Sequence, residues 1–131
     1  MSATAVAFDT VADTNHLGLL GKEPDLRKTV DFLSLKKEDV AQLAGVSKAS
    51  VRYDAKMPTE LHERLMQIAH ICELVAQHFS GDPKKTALWF TVRNPLLGNV
   101  APRDMIRLGR YHKVLRLVLE ARQAEQRARA R

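Results

Sequence analysis

Between Leu61 and Phe79 the apolar residues fall at Leu61, Leu65, Ile68, Cys72, Val75 and Phe79, in steps of four, three, four, three and four. That rhythm keeps all of them on one stripe of an α-helix. A strand could not do the same, because it turns successive side chains to opposite faces. The stripe runs for about five turns, so the rest of the chain must be arranged along it. Pro58 and Thr59 open this helix, and Gly81-Asp82-Pro83 breaks the chain after it.

The flanking segments read as shorter helices. Pro24 opens one to about Leu33, with Leu26, Val30 and Leu33 on one face. LKKEDVAQLAG predicts a second, stopped at Gly45, and Ser47 caps a third over SKASVRYD. After the break, helices are predicted from Pro83 to about Val92 and over residues 102–108, with RNPLLGNVAP as a structured loop between them. The last helix starts near Arg110, with Tyr111, Val114, Val118 and Ala121 on one side, and is expected to fray after Arg122. No run alternates with period two and no segment repeats. The expected fold is therefore all-α. A small helix-turn-helix domain would span residues 23–80 and a second helical domain residues 81–131, behind a flexible N-terminal arm over residues 1–22.

Charge is distributed unevenly. Residues 107–131 hold eight Lys and Arg against two Glu, and this accounts for the whole net charge of +6. The rest of the chain balances, so the basic character belongs to the last helix and tail, where a polyanionic partner would be drawn. The single cysteine, Cys72, permits no intrachain disulfide and fits a reducing cytoplasm. Asp9 and Asp13 sit in a start that does not read as a signal peptide. No apolar run approaches the roughly 18 residues a membrane span needs. There is no phosphate loop, dinucleotide fingerprint or nucleophile elbow, so neither catalysis nor a cofactor is expected. His62, His70 and His78 are spaced by eight, which rotates each about 80° from the last. They cannot converge on one metal from one helix, and Cys72 reads as core.

Two constellations carry a functional expectation. Over Lys36–Tyr53, Ala41 is small where one helix would meet another, Gly45 permits a left-handed turn, and Val51 supplies the apolar anchor. This is the steric grammar of a helix-turn-helix, with Leu43 and Val46 filling in. Its second helix would present Ser47, Lys48, Ser50 and Arg52 to the major groove, with Arg52 placed to read guanine. Lys36, Lys37 and Lys56 would neutralise phosphates. A plain helical hairpin with solvated lysines fits the same residues. The second constellation is ALWFTVRNPLLGNVAPRDMIRLGRYHKVL. It sets the only tryptophan, Trp89, before an Asn94-Pro95 turn, with Gly98 to reverse the chain, Pro102 at a helix start and Gly109 between two helices. Physical reasoning alone makes this a tightly turned helical bundle.

The order Trp89, Asn94-Pro95, Leu97-Gly98, Pro102, Ile106, Gly109-Arg110 and Val114 resembles the C-terminal toxin-binding domain of the Xre/MbcA/ParS antitoxin family. The segment from about Leu33 to Phe79 resembles that family's Xre-like helix-turn-helix domain. Asn99 departs from the pattern, which favours a second small residue there, and so does Ala101, which stands where Ser or Thr often caps the helix. The resemblance implies an antitoxin that binds a RES-domain toxin, blocks its NAD pocket and sits as a homodimer on its own operator DNA. It points to Trp89, Asn94, Pro95, Leu97, Gly98, Gly109 and Arg110, most of which would build the domain rather than touch the toxin. The arginine-rich end, with Arg127, Arg129 and Arg131, could enter the toxin's pocket or its acidic rim through bidentate pairing. It could equally be a solvated tail or an arm on DNA. Two other readings share these residues: a stand-alone transcription regulator whose second domain only dimerises, and a protein-interaction module that does not bind DNA.

Overall fold

The computed structural model describes residues 15–130. Residues 1–14, most of the expected arm, and Arg131 lie outside the described residues. The fold is all-α. Among the described residues six α-helices follow in order: α1 (Leu26–Phe32), α2 (Lys37–Ala44), α3 (Thr59–His78), α4 (Pro83–Thr91), α5 (Pro102–Arg107) and α6 (Tyr111–Arg129). Two single 3₁₀ turns, Lys48–Ser50 and Pro95–Leu97, lie between them.

The long helix forms where the stripe placed it. Leu61, Leu65, Ile68, Cys72 and Val75 are all buried. The opposite face is buried as well in the second half, through Ala69, Ile71, Leu74 and Ala76. α3 is thus the axis of the molecule, with α1, α2, α4 and α6 packed around it. Burial also pushes the Cys72 thiol well above its ordinary range, so the side chain is a small core residue and not a nucleophile.

A helix enclosed on all sides leaves no solvent for a charged side chain, yet Glu73 lies in this stretch with no exposed surface. Its carboxylate accepts hydrogen bonds from the backbone N–H of Leu17 (2.9 and 3.2 Å to the two oxygens) and of Leu19 (3.0 Å). Asn15 Oδ1 accepts from Leu20 N at 2.8 Å and closes the same loop on itself. Leu19 and Leu20 are buried beneath it. Two residues at the described end of the expected arm, Leu19 and Leu20, therefore belong to the core. A buried carboxylate is stable only when its oxygens are satisfied, and this loop supplies the donors.

The expected boundary at residues 81–83 is a turn, but the core does not divide there. One hydrophobic cluster runs from Leu19 to Leu115. Arginines from the later helices tie onto carbonyls of the earlier ones. Arg103 of α5 donates to the carbonyls of Leu33 and Ser34 beyond α1, and Arg64 of α3 donates to Leu43 O in the last turn of α2 at 3.0 Å. Arg64 also lies 4.3 Å over the ring of Tyr111, the first residue of α6. Helix C-terminal carbonyls lack intrahelical donors, so these cations meet both a hydrogen-bonding need and the negative end of a dipole.

The last helix also departs from expectation, continuing to Arg129 instead of fraying after Arg122. Its final turns are rich in Ala, Gln, Glu and Arg, all good helix formers. Glu125 reaches His78 at 2.6 Å and pins the helix to the end of α3.

Replacing Glu73 by Gln keeps the shape but leaves an amide N–H₂ facing the N–H groups of Leu17 and Leu19. We expect a loss of about 1–3 kcal/mol in unfolding free energy, read from urea denaturation. An unchanged midpoint would mean that the loop is held by Leu19 and Leu20 alone.

Candidate functional site

The residues expected to bind DNA are placed in part as the sequence suggested. Ala41 and Val51 are buried, and Gly45 ends α2 in the left-handed conformation with φ 68°. Val46 N donates to Ala41 O at 3.1 Å and satisfies the end of α2. The second helix is absent. Residues 48–50 make one 3₁₀ turn, and Val51 continues in an extended conformation. Side chains compete with the helix here: Ser47 and Ser50 hydroxyls bond each other at 2.8 Å, and Asp54 Oδ1 accepts from Lys56 N at 3.0 Å. Pro58 follows, and a residue before proline avoids helical geometry.

Two cations of this segment are also paired. Arg52 makes a two-pronged pair with Asp54 through Nε and a terminal nitrogen. That guanidinium holds the Asp54 carboxyl below its usual range, and the carboxylate in turn raises Arg52. Lys48 pairs with Glu38, whose carboxyl is lowered chiefly by that bond. The Arg52–Asp54 pair is exposed, and such pairs are weak in water, so Arg52 stays accessible at the surface. Lys36, Lys37 and Lys56 are exposed.

The second constellation forms a defined surface. α4 is capped by Asp82, which accepts from Lys84 N and Lys85 N, with Pro83 at its first position. Phe90 is buried and stands edge-on to Phe32 of α1, with ring centroids 6.3 Å apart. Trp89 stands edge-on to Phe90 at 5.0 Å and is half-buried, so an aromatic ladder runs from the core to the surface. Asn94 then organises the turn. Its side chain accepts from Leu96 N at 2.9 Å, and its backbone pairs with Val100 as an isolated antiparallel bridge. Gly98 (φ 69°) and Asn99 (φ 63°) are both left-handed. Asn is the side-chain-bearing residue best suited to that conformation, which explains how the turn keeps its shape without a second glycine. Ala101 gives α5 no side-chain cap, and Pro102 starts it.

Trp89 and Asn94 share a groove of about 460 Å³ between α3, α4 and α6. Leu74, Val75, Leu117 and Val118 give it an apolar floor, and His78, Arg122, Glu125 and Arg129 give it a polar rim. Among the described residues four large apolar side chains are exposed: Leu88 (62%) and Val92 (52%), close to Trp89 in sequence, Leu96 (78%), and Leu108 (53%) after α5. Leu88 and Val92 lie four apart and share a face of the chain, while Leu96 lines the groove itself. Leu96, Leu88 and Val92 were missed from sequence. Their signal was LWFTVRNPLL, in which more apolar residues occur than one buried face can use.

The remaining residues expected at this surface divide. Pro95 is exposed and begins the 3₁₀ turn, Leu97 is buried, and Gly109 and Arg110 form the corner between α5 and α6. Arg129 lines the groove. Arg127, two residues earlier, is turned about 200° away around the same helix. Among the described residues no three His, Cys, Asp or Glu side chains gather as a metal site, and no helix is long and apolar enough to cross a membrane. The chain matches no protein-family model, no curated protein and no solved structure.

Gly98 has open space around it, so Gly98→Ala tests backbone conformation alone. It should cost about 1 kcal/mol, whereas Asn99→Gly should be close to neutral. Thermal melts of both variants check this, and equal losses would contradict the left-handed geometry at one of the two positions.

Proposed function

We propose that this chain is an antitoxin that covers and silences a partner toxin through the face made by α4, the Asn94 turn and the α6 groove. The observation that carries the reading is exposed Leu96 in a groove edged by Trp89, with exposed Leu88 and Val92 close to Trp89 in sequence. Apolar side chains grouped at one place on a small chain mark a contact surface. An aromatic anchor with aliphatic neighbours is the composition of an interface centre. The resemblance of Trp89 to Val114 to the Xre/MbcA/ParS toxin-binding domain supplies the finer part. On that basis the partner is a RES-domain toxin that consumes NAD, and inhibition is steric occlusion of its active site.

The same reading gives the protein a second partner, the DNA of its own operator, and a homodimer to match a two-fold site. The support is the net charge of +6, all of it in residues 107–131, together with the Ala41, Gly45 and Val51 spacing. The stand-alone regulator shares this half and drops the toxin. The exposed leucines favour the antitoxin over it.

The test is co-expression with the neighbouring gene under an inducible promoter, following growth and cellular NAD. The wild-type chain should restore both. Leu88→Asp with Leu96→Asp should fail to do so while keeping its helical signal and melting temperature. Each change should weaken the complex by roughly 30-fold, which is about 2 kcal/mol. Rescue of growth with no change in NAD would remove the RES-type partner and leave the antitoxin. A harmless neighbour that forms no complex would remove both. Trp89 gives a second readout, because its emission should shift to the blue when a partner covers the groove.

A further inference from the structure

We infer that the DNA backbone is bound by the outer face of α6 and not by the turn at Lys48–Arg52. This rests on the DNA-binding half of the reading above and deepens it by moving the contact. α6 is amphipathic in an unusual sense. Tyr111, Val114 and Leu115 face the core, and the solvent face presents Arg110, Lys113, Arg116, Glu120, Gln123 and Arg127. The steps along this face are three or four, so the side chains stand in one row.

Four of the six are cations and one is an anion. Among the described residues, Arg110, Lys113, Arg116 and Arg127 make no ion pair, whereas Lys48 and Arg52 are held by Glu38 and Asp54. Other unpaired cations, among them Lys36, Lys37 and Lys56, lie elsewhere, but α6 sets four in one row with a single anion, and residues 107–131 hold the whole net charge. From Arg110 to Arg127 the row is about 25 Å long at 1.5 Å per residue. That length of duplex carries roughly 15 phosphate charges. The preceding helix, α5, packs on the end of α1 and on α2. Arg103 reaches the carbonyls of Leu33 and Ser34, just before Lys36, and Arg107 lies 3.7 Å from Asp39.

The occupant is double-stranded DNA on chemical grounds. No aromatic or large aliphatic side chain stands in the row itself, and exposed Leu108 lies two residues before its start, so the row offers a protein partner little to bury. The apolar anchors are on another face, at Leu88 and Leu96. Charge without apolar surface suits a phosphate backbone, which is bound by counterion release and not by burial. Such contacts position the protein and read no sequence.

The experiment is fluorescence anisotropy with a labelled duplex of about 30 base pairs from the chain's own upstream DNA, and with a shuffled duplex, over a salt series. Lys113→Ala with Arg116→Ala should weaken binding to both duplexes at least tenfold and reduce the salt slope by about 1.8. Removing two cations elsewhere, Lys22→Ala with Lys28→Ala, should change affinity less than twofold. Glu120→Gln removes the one anion of the row and should tighten binding several-fold, a gain that misfolding could not produce. Loss of binding on Lys48→Ala with Arg52→Ala, with the α6 variant unaffected, would overturn the inference. So would an unchanged salt slope, or a wild-type chain that binds neither duplex at low salt. If the α6 variant instead loses the toxin complex and keeps the duplex, the row faces an acidic protein and the inference fails. The toxin half of the reading is judged separately, by the growth and NAD rescue.

Discussion

From Ile68 to Ala76 the chain is enclosed on all sides, apart from a partly open His70, and this enclosure governs the other elements. A helix with one apolar face needs one partner layer. A helix with two needs partners all round, and here α1 and α2 take one side while α4 and α6 take another. The cost of such a centre is that any charge inside it must be satisfied by the protein itself. Glu73 is that charge, and the loop at residues 15–20 exists in its present form because two of its backbone N–H groups answer it. The loop then buries Leu19 and Leu20 and becomes part of the core it was drawn to.

The same centre explains why the two halves of the chain do not separate. With α3 shared, helices of both halves pack into one hydrophobic cluster. The seam is fastened by arginines on helix ends: Arg103 on the carbonyls after α1, Arg64 on the last turn of α2 and against Tyr111. A cation at a helix C-terminus is favourable near a surface by a few tenths to about 1 kcal/mol. Their greater effect is to fix the angle at which α5 and α6 meet the earlier helices. The aromatic series Phe32, Phe90 and Trp89 does similar work on the far side, leading from α1 through the core to the edge of the groove.

The all-α class and the start of both long helices were legible in the sequence, because periodicity reports directly on which side chains share a face. Leu61 to Val75 and the Asn94-Pro95 turn behaved as their spacing required. What failed were inferences that depended on tertiary context. SKASVRYD has helical periodicity over too short a run, and the local bonds of Ser47, Ser50 and Asp54 win over a nucleus that is costly to form. The leucines of residues 17–20 looked like part of a polar arm because nothing near them in sequence announces Glu73, more than fifty residues away. One signal was available: IAHICELVA carries only His70 and Glu73 among apolar residues, a pattern for a helix covered on both faces.

The two surfaces assigned to partners lie on one rigid helix, and that arrangement has a consequence for how they act together. Leu117, Val118, Ala121, Arg122, Glu125 and Arg129 of α6 line the groove, whereas Lys113, Arg116, Gln123 and Arg127 stand on the opposite side. The separation follows from helical geometry, since a shift of two residues turns a side chain by about 200°. A toxin seated on the groove face would leave the basic row open, and DNA on the row would leave the groove open. Neither needs the other to move, so occupancy of one site changes the other only through charge. An acidic toxin near Arg129 would weaken the field at the row, and a basic one would strengthen it, within about 10 Å at moderate salt. If both proposed partners bind as assigned, this geometry would let a single chain hold them at once, and any mutual influence between them would be electrostatic and fall as salt rises.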